Sequence, residues 1–337
     1  MDYVYLGNSG LAVSRISLGA FGFGDPAWQR WVLDEAASRP IIRRALELGI
    51  NVFDTADYYS LGASETVLGR VLREHARRDE VIVVTKAFHP TGPSVNESGL
   101  SRRHLFQAID LSLRRLGMDW VDVYQIHRLD QFVPMEETLE ALHDIVKSGK
   151  ARYIGASNMV AWQFAKALYI QKCNGWTRFI VMQNHYNLIY REEEREMLPL
   201  CRAEGIGYTP FSPLARGFLV GKGADVGSGA SPRTSADQFI GAFYNHPSDY
   251  VIRTRLHEIA ARRGVGPARV ALAWMLGRPG VTGPVVGATK TAHVEDAVSA
   301  LDLALEDSER DYLAAPYEPH PVLLHTALRE GVRRLQT

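Results

Sequence analysis

Residues 51–86 read NVFDTADYYSLGASETVLGRVLREHARRDEVIVVTK. Asn51–Thr55 is a short apolar run that stops in polar residues, Ser64–His75 repeats its apolar positions with the period of a helix, and Val81–Lys86 is a second run of strand length. Strand, helix and strand in this order lay down parallel neighbours. The same alternation extends in both directions. Strands are expected at Ser17–Phe21, Asn51–Thr55, Val81–Lys86, Val121–His127, Ala151–Gly155, Phe179–Gln183, Gly207–Phe211 and Thr282–Val286. Helices are expected at Pro40–Leu48, Ser64–His75, Ser101–Leu116, Pro134–Lys147, Ala161–Lys172, Arg191–Ala203, Tyr250–Arg263, Pro267–Leu276 and Thr291–Leu301. Several stop at a glycine, as at Leu48-Gly49 and Ser148-Gly149, where a residue of positive φ ends a helix. A doubly wound sheet usually has fewer strands and opens with a Gly-x-Gly-x-x-Gly turn, and the nearest stretch, Gly19-Ala20-Phe21-Gly22-Phe23-Gly24, lacks that spacing. The pattern reads as α/β, a (β/α)8 TIM barrel.

Ahead of the barrel, Tyr3–Gly7 and Leu11–Ile16 flank Asn8-Ser9-Gly10 and read as a β-hairpin over residues 1–16. Residues 215–248, rich in Gly, Ser and Pro, read as an active-site loop, because the strand and helix pattern resumes after them. Residues 316–337 form a tail, Pro-rich and then basic. The 337 residues fit one large barrel domain.

Apolar residues make up 46% and charged residues 23%, ordinary values for a chain that buries a core. Lys plus Arg and Asp plus Glu are 38 each, so no net field points to nucleic acid or to an anionic membrane. Small neutral ligands are the expected partners, alone or on a homo-oligomer. Cys173 and Cys201 sit in helical stretches without metal-ligand spacing, which argues for no metal site and for a reducing, cytoplasmic setting. The N-terminus has no basic start with an apolar run behind it, and no stretch approaches ~20 apolar residues.

In a parallel barrel the chemistry collects at the C-terminal ends of the strands. Here those ends carry Asp54 and the loop residue Tyr59, then Lys86, then His127 with Arg128. An ammonium near the top of a buried strand needs a carboxylate, and Asp54 on the adjacent strand is the natural one. A cation beside a phenol favours phenolate, so Tyr59 next to Lys86 can act as acid or base, while His127 can donate to a carbonyl oxygen as a neutral imidazole. No nucleophile with an attached base is evident. Proton transfer to a carbonyl that accepts hydride from a bound cofactor fits best.

On these residues the sequence resembles the aldo-keto reductase superfamily. The matching fragments run through nearly the whole chain in order: residues 3–11, Asn51–Tyr59, Ser64-Glu65 with Leu68-Gly69, Val83–Lys86, Ser112-Leu113 with Leu116-Gly117, Val121–Arg128, Ile154–Asn158 and Phe211–Gly217. The resemblance implies a tetrad of Asp54, Tyr59, Lys86 and His127, with Tyr59 preferred to Tyr58 by its spacing from Asp54. It implies an NADP(H) site in which Ser157, Asn158 and Gln183 hold the nicotinamide carboxamide and Phe211 stacks on the ring. Ser212, Leu214, Arg216 and Lys222 would line the pyrophosphate, with Pro213, Ala215, Gly217, Gly19, Ala20, Phe21 and Asp54 also beside the cofactor. Gly287, Thr289, Lys290, His293 and Asp296, with Arg233 from the long loop, would surround the adenosine 2′-phosphate. This segment departs from better-known members, with His293 and Ala297 standing where they carry Arg and Asn. NADPH is the cofactor the resemblance implies, and these departures leave NADH as the second choice. Substrate walls are expected from Phe21, Phe23, Trp28, Trp31, Phe88, His127, Arg128 and Tyr244, an aromatic, lightly charged pocket for a hydrophobic or sugar-like aldehyde or ketone. The alternatives are a cofactor-sensing subunit like the potassium-channel β subunits of the superfamily, or a barrel isomerase or lyase using the same tyrosine.

Overall fold

A computed structural model describes residues 1–221, 240 and 243–322 of the chain. Eight parallel strands form one sheet: β3 (Ser17–Gly19), β4 (Val52–Asp54), β5 (Ile82–Ala87), β6 (Val121–Ile126), β7 (Ala151–Ser157), β8 (Phe179–Gln183), β9 (Gly207–Tyr208) and β10 (Val285–Gly287). Each pairs with the next in the chain and β10 pairs with β3, so the spatial order is β10-β3-β4-β5-β6-β7-β8-β9. Two parallel bridges, Tyr208 to Val281 and Phe211 to Val285, join the remaining edges. The sheet therefore curls back on itself as a barrel.

The helices follow the strands they connect: α1 (Glu35–Glu47), α2 (Ala63–His75), α3 (Arg102–Leu116), α4 (Met135–Lys147), α5 (Ala161–Asn174), α6 (Met197–Glu204), α7 (Pro247–Arg263), α8 (Pro267–Leu276), α9 (Thr291–Ser299) and α10 (Asp307–Ala314). Their apolar stripes meet the outward faces of the strands. Leu68, Leu72, Leu105, Ile109, Leu142 and Phe164 from the helices and Phe53, Val83, Tyr124 and Ile154 from the strands share one buried cluster.

A second, smaller cluster fills the inside. Val52, Ile82, Val84, Val123 and Val181 pack there with Leu6 and Val13 from a hairpin of β1 (Tyr3–Tyr5) and β2 (Ala12–Ser14). The hairpin is held beneath the barrel by the Asn8 amide, which donates to the Gly205 carbonyl at 2.7 Å. Above this apolar floor the interior turns polar, with Asp54, Gln125, Gln183 and Thr209 lining the same space.

The boundaries move where local chemistry overrides periodicity. The first helix starts at Glu35 rather than Pro40, because the Asp34 side chain accepts from the Ala37 amide at 2.9 Å and caps it early. The expected helix Arg191–Ala203 is a 3-10 turn at Glu192–Glu194 followed by α6, since Glu194 is held by Arg191 and Tyr186 instead of continuing the coil. The strand Gly207–Phe211 is short because Pro210 has no amide hydrogen for a ladder, and its carbonyl instead accepts from Val285 at 2.9 Å. Helix α10 adds an element that the apolar pattern did not single out.

Candidate active site

The pleat places side chains of β4, β5 and β8 on one interior level. Lys86 is fully buried, and its ammonium donates to Asp54 Oδ1 at 2.5 Å and to the Thr55 carbonyl at 2.9 Å. The other Asp54 oxygen accepts from Gln183 Nε2 at 2.8 Å, across the barrel. Burial pulls the lysine pKa down, but the Asp54 carboxylate and Tyr59 outweigh it, and the ammonium stays charged.

Tyr59 enters from the turn after β4. Its ring lies 4.8 Å from Phe21 and 5.5 Å from His127 between centres, and the Lys86 ammonium is 5.2 Å from the ring centre. The turn holding it is strained: Ser60, Leu61 and Gly62 are successively left-handed, with φ of 51°, 50° and 91°. Ser60 Oγ accepts from the Asp25 amide at 2.8 Å, which ties this turn to the loop after β3. Burial raises the phenol pKa and Lys86 opposes it, with a net shift upward. The ammonium thus moderates the phenol without making it a stronger acid than ordinary tyrosine, because desolvation of the phenolate is the larger effect. The proton stays on the oxygen at neutral pH.

His127 follows β6, with its pKa held well below the usual value by burial and then by His89, Lys86 and Arg128. It is a neutral imidazole, and its Nδ1 is buried with no hydrogen-bond partner among the described residues.

Beside this cluster the rim has the features of a nicotinamide site. Asn158, left-handed at φ 52°, sends its amide nitrogen to the His127 carbonyl at 3.0 Å and to Ser157 Oγ at 2.9 Å. Its side-chain oxygen is buried and unpartnered. A buried acceptor without a donor at this point fits the amide hydrogens of a carboxamide. Phe211 stacks on His185 at 5.5 Å, and His185 on Tyr190 at 4.3 Å, so Phe211 is backed by two flat rings. Ser212, Ala215, Arg216 and Gly217 are left-handed, with Pro213 and Leu214 between them; such turns bring successive amides to one side, the arrangement that receives phosphate. These residues fit a dinucleotide. Gly287, Thr289, Lys290, His293 and Asp296 are exposed at the start of α9, with His293 Nδ1 accepting from the Thr289 amide at 3.3 Å. Gly19, Ala20 and Phe21 lie where β3 runs into a 3-10 turn. Lys222 and Arg233 lie outside the described residues, as do parts of the 215–248 loop and of the tail.

Several of the residues expected to form a substrate wall come together as an aromatic cluster, and others do not. Phe21 meets Trp28 at 5.6 Å and Trp31 at 5.1 Å, and Trp28 meets Tyr58 at 5.7 Å. Phe88 is half-buried beside His89, and Arg128 follows His127 on the same loop. Phe23 is instead fully buried in the core, pinned by amide bonds from Gly24 to Leu33 and from Leu33 to Gly22. Tyr244 is buried too, and its hydroxyl bonds His185 Nε2 at 2.5 Å, which places it behind Phe211 rather than on the wall. Periodicity did not reveal that Tyr58 and His89 join this ring cluster. The only signal in the sequence was their position next to Tyr59 and Phe88.

Fold and site together define a barrel oxidoreductase acting on carbonyl or alcohol groups. Residues 15–318 match the Aldo/keto reductase family, and the chain belongs to that family. It is 42% identical over 343 residues to versiconal hemiacetal acetate reductase of Aspergillus parasiticus, an alignment covering 96% of this chain and 98% of that one. It is also 42% identical to the aldo-keto reductase AMT2 of Alternaria alternata, over 96% of this chain and 94% of the relative. With the aldo-keto reductase dtxS3 of Metarhizium robertsii it shares 39% identity, over 97% and 94%. Aldo-keto reductases use nicotinamide cofactors, and among the described residues no helix is long and apolar enough to cross a membrane.

Proposed function

We propose that the protein, acting as a single barrel domain in the cytoplasm, reduces an aldehyde or ketone to its alcohol with NADPH, and that Tyr59 is the proton donor. The bound cofactor supplies hydride to the carbonyl carbon. Tyr59 gives its phenolic proton to the carbonyl oxygen as negative charge develops there, and the Lys86 ammonium, fixed by Asp54, steadies the phenolate left behind. His127, uncharged, donates to the same oxygen and holds the carbonyl in line. Asn158 and Ser157 take the carboxamide, Phe211 covers the ring, and the 212–217 turn receives the pyrophosphate. Lys290, with Thr289 and His293, faces the 2′-phosphate, which favours NADPH over NADH.

The observation that carries this reading is the buried Asp54–Lys86 pair under the Tyr59 ring with a neutral imidazole beside it. Tyr59→Phe is expected to lower kcat by roughly 10²–10⁴ while NADPH still quenches the protein fluorescence with unaltered affinity. Turnover by Tyr59→Phe equal to wild type, read from absorbance of the reduced nicotinamide with both cofactors, removes the assignment.

A further inference from the structure

We infer that His89 is a second substrate-facing imidazole, and that the preferred substrates are aryl aldehydes or ketones carrying another oxygen close to the carbonyl, in a 1,2 or 1,3 relation to it. The inference rests on the reductase reading above and narrows its substrate class.

His89 stands just beyond β5, where the chain leaves the barrel mouth. Its ring lies 4.9 Å from His127 at an interplanar angle of 78°, 4.9 Å from Tyr58 and 5.2 Å from Phe88. Three rings thus fix its plane, and its side chain is only partly buried. Burial and the Arg128 guanidinium pull its pKa down to about 4, with no hydrogen bond contributing. The ring is neutral and keeps one donor and one acceptor for a ligand. Three other histidines give a ring nitrogen to the protein, the part-buried His143 to Thr177 and the buried His185 to Tyr244 and His320 to Asp249, whereas His104, sealed in on α3, gives neither. A histidine held only by the faces and edges of aromatic rings, with its nitrogens unclaimed by any described residue, is arranged for recognition rather than for support.

Its distance from His127 sets the geometry of what it reads. Two imidazoles with centres 4.9 Å apart bring a pair of oxygens on one small molecule within joint reach when those oxygens are on the order of 3–5 Å apart. That is the separation of oxygens on neighbouring or next-but-one carbons. Phe21, Trp28, Tyr58 and Phe88 flank the space, so a flat ring is the natural carrier of both oxygens.

The test compares benzaldehyde, 2-methoxybenzaldehyde and 4-methoxybenzaldehyde with NADPH and with NADH. The two methoxy compounds are electronically alike and differ in where the second oxygen sits. In His89→Phe the ratio of kcat/KM for the 2-methoxy over the 4-methoxy compound is expected to fall about threefold to tenfold, the worth of one neutral hydrogen bond. In His89→Gln, which keeps an N–H donor, much of the ratio is expected to return. His89→Leu gives the same reading should phenylalanine disturb the fold. A ratio unchanged by His89→Phe or His89→Leu, or lost equally in His89→Gln, overturns the inference while leaving the reductase reading intact. No turnover of any of the three aldehydes by wild type with either cofactor overturns the inference alone, whereas equal turnover of a wider carbonyl panel by Tyr59→Phe and wild type overturns the reductase reading, and the inference with it.

Discussion

Asp57 illustrates how much a single buried group contributes. It is 1% exposed, two residues before Tyr59, and neither of its carboxyl oxygens has a side-chain hydrogen-bond partner. The nearby Arg115 is engaged with Glu65 at 2.6 Å, and Thr85 donates to the other Glu65 oxygen at 2.5 Å. Burial, and then the Glu65 carboxylate, raise the Asp57 pKa well above the ordinary range, so the folded protein holds this proton to higher pH than the unfolded chain does. The unfolded chain releases that proton near pH ~4. Stability from this site is therefore complete below that pH and falls as pH rises toward the folded-state pKa. Asp57→Asn removes the titration: its Tm relative to wild type is expected to be more favourable at pH 8 than at pH 5, and an equal difference at both pH values would refute the assignment. The Asp54–Lys86 pair was legible from sequence because strand alternation dictates where those side chains point. Asp57 and His89 were not, because their burial is decided by loop paths that no periodicity encodes.

At the scale of elements, helix α2 packs against α3 through Gly69. A Cβ there would lie 2.2 Å from the Leu116 carbonyl oxygen, a backbone atom that cannot rotate away. Alanine would ordinarily gain up to ~1 kcal/mol over glycine within a helix. Here the overlap wins, and Gly69→Ala is expected to cost about 1–3 kcal/mol net in urea denaturation; a stabilised variant would mean that the two helices separate readily. This pairing also holds the turn that carries Tyr59, since Gly62 caps α2 and packs against the Arg115 side chain of α3. Helix and strand order could be read from apolar period, and several helix ends from glycine. The early start of α1 could not, because it depends on one aspartate reaching one amide.

Across the whole molecule, the barrel is uneven. β5, β6 and β7 have six, six and seven residues, whereas β9 has two and meets β10 only through isolated bridges. Opening should start at that seam. In hydrogen exchange followed by mass spectrometry, peptides over 281–287 are expected to exchange before those over 121–126 and 151–157; equal protection would show that the seam is as firm as the rest. The eight-unit repeat told of a closed sheet, but the thin closure depends on Pro210 and on side-chain packing that composition does not record. The opposite end of the cylinder is stoppered by Leu6 and Val13. A vessel sealed at its base fills and empties through its rim. A departing alcohol and the next arriving molecule therefore queue at one doorway, and turnover is bounded by traffic through it as well as by the chemistry inside.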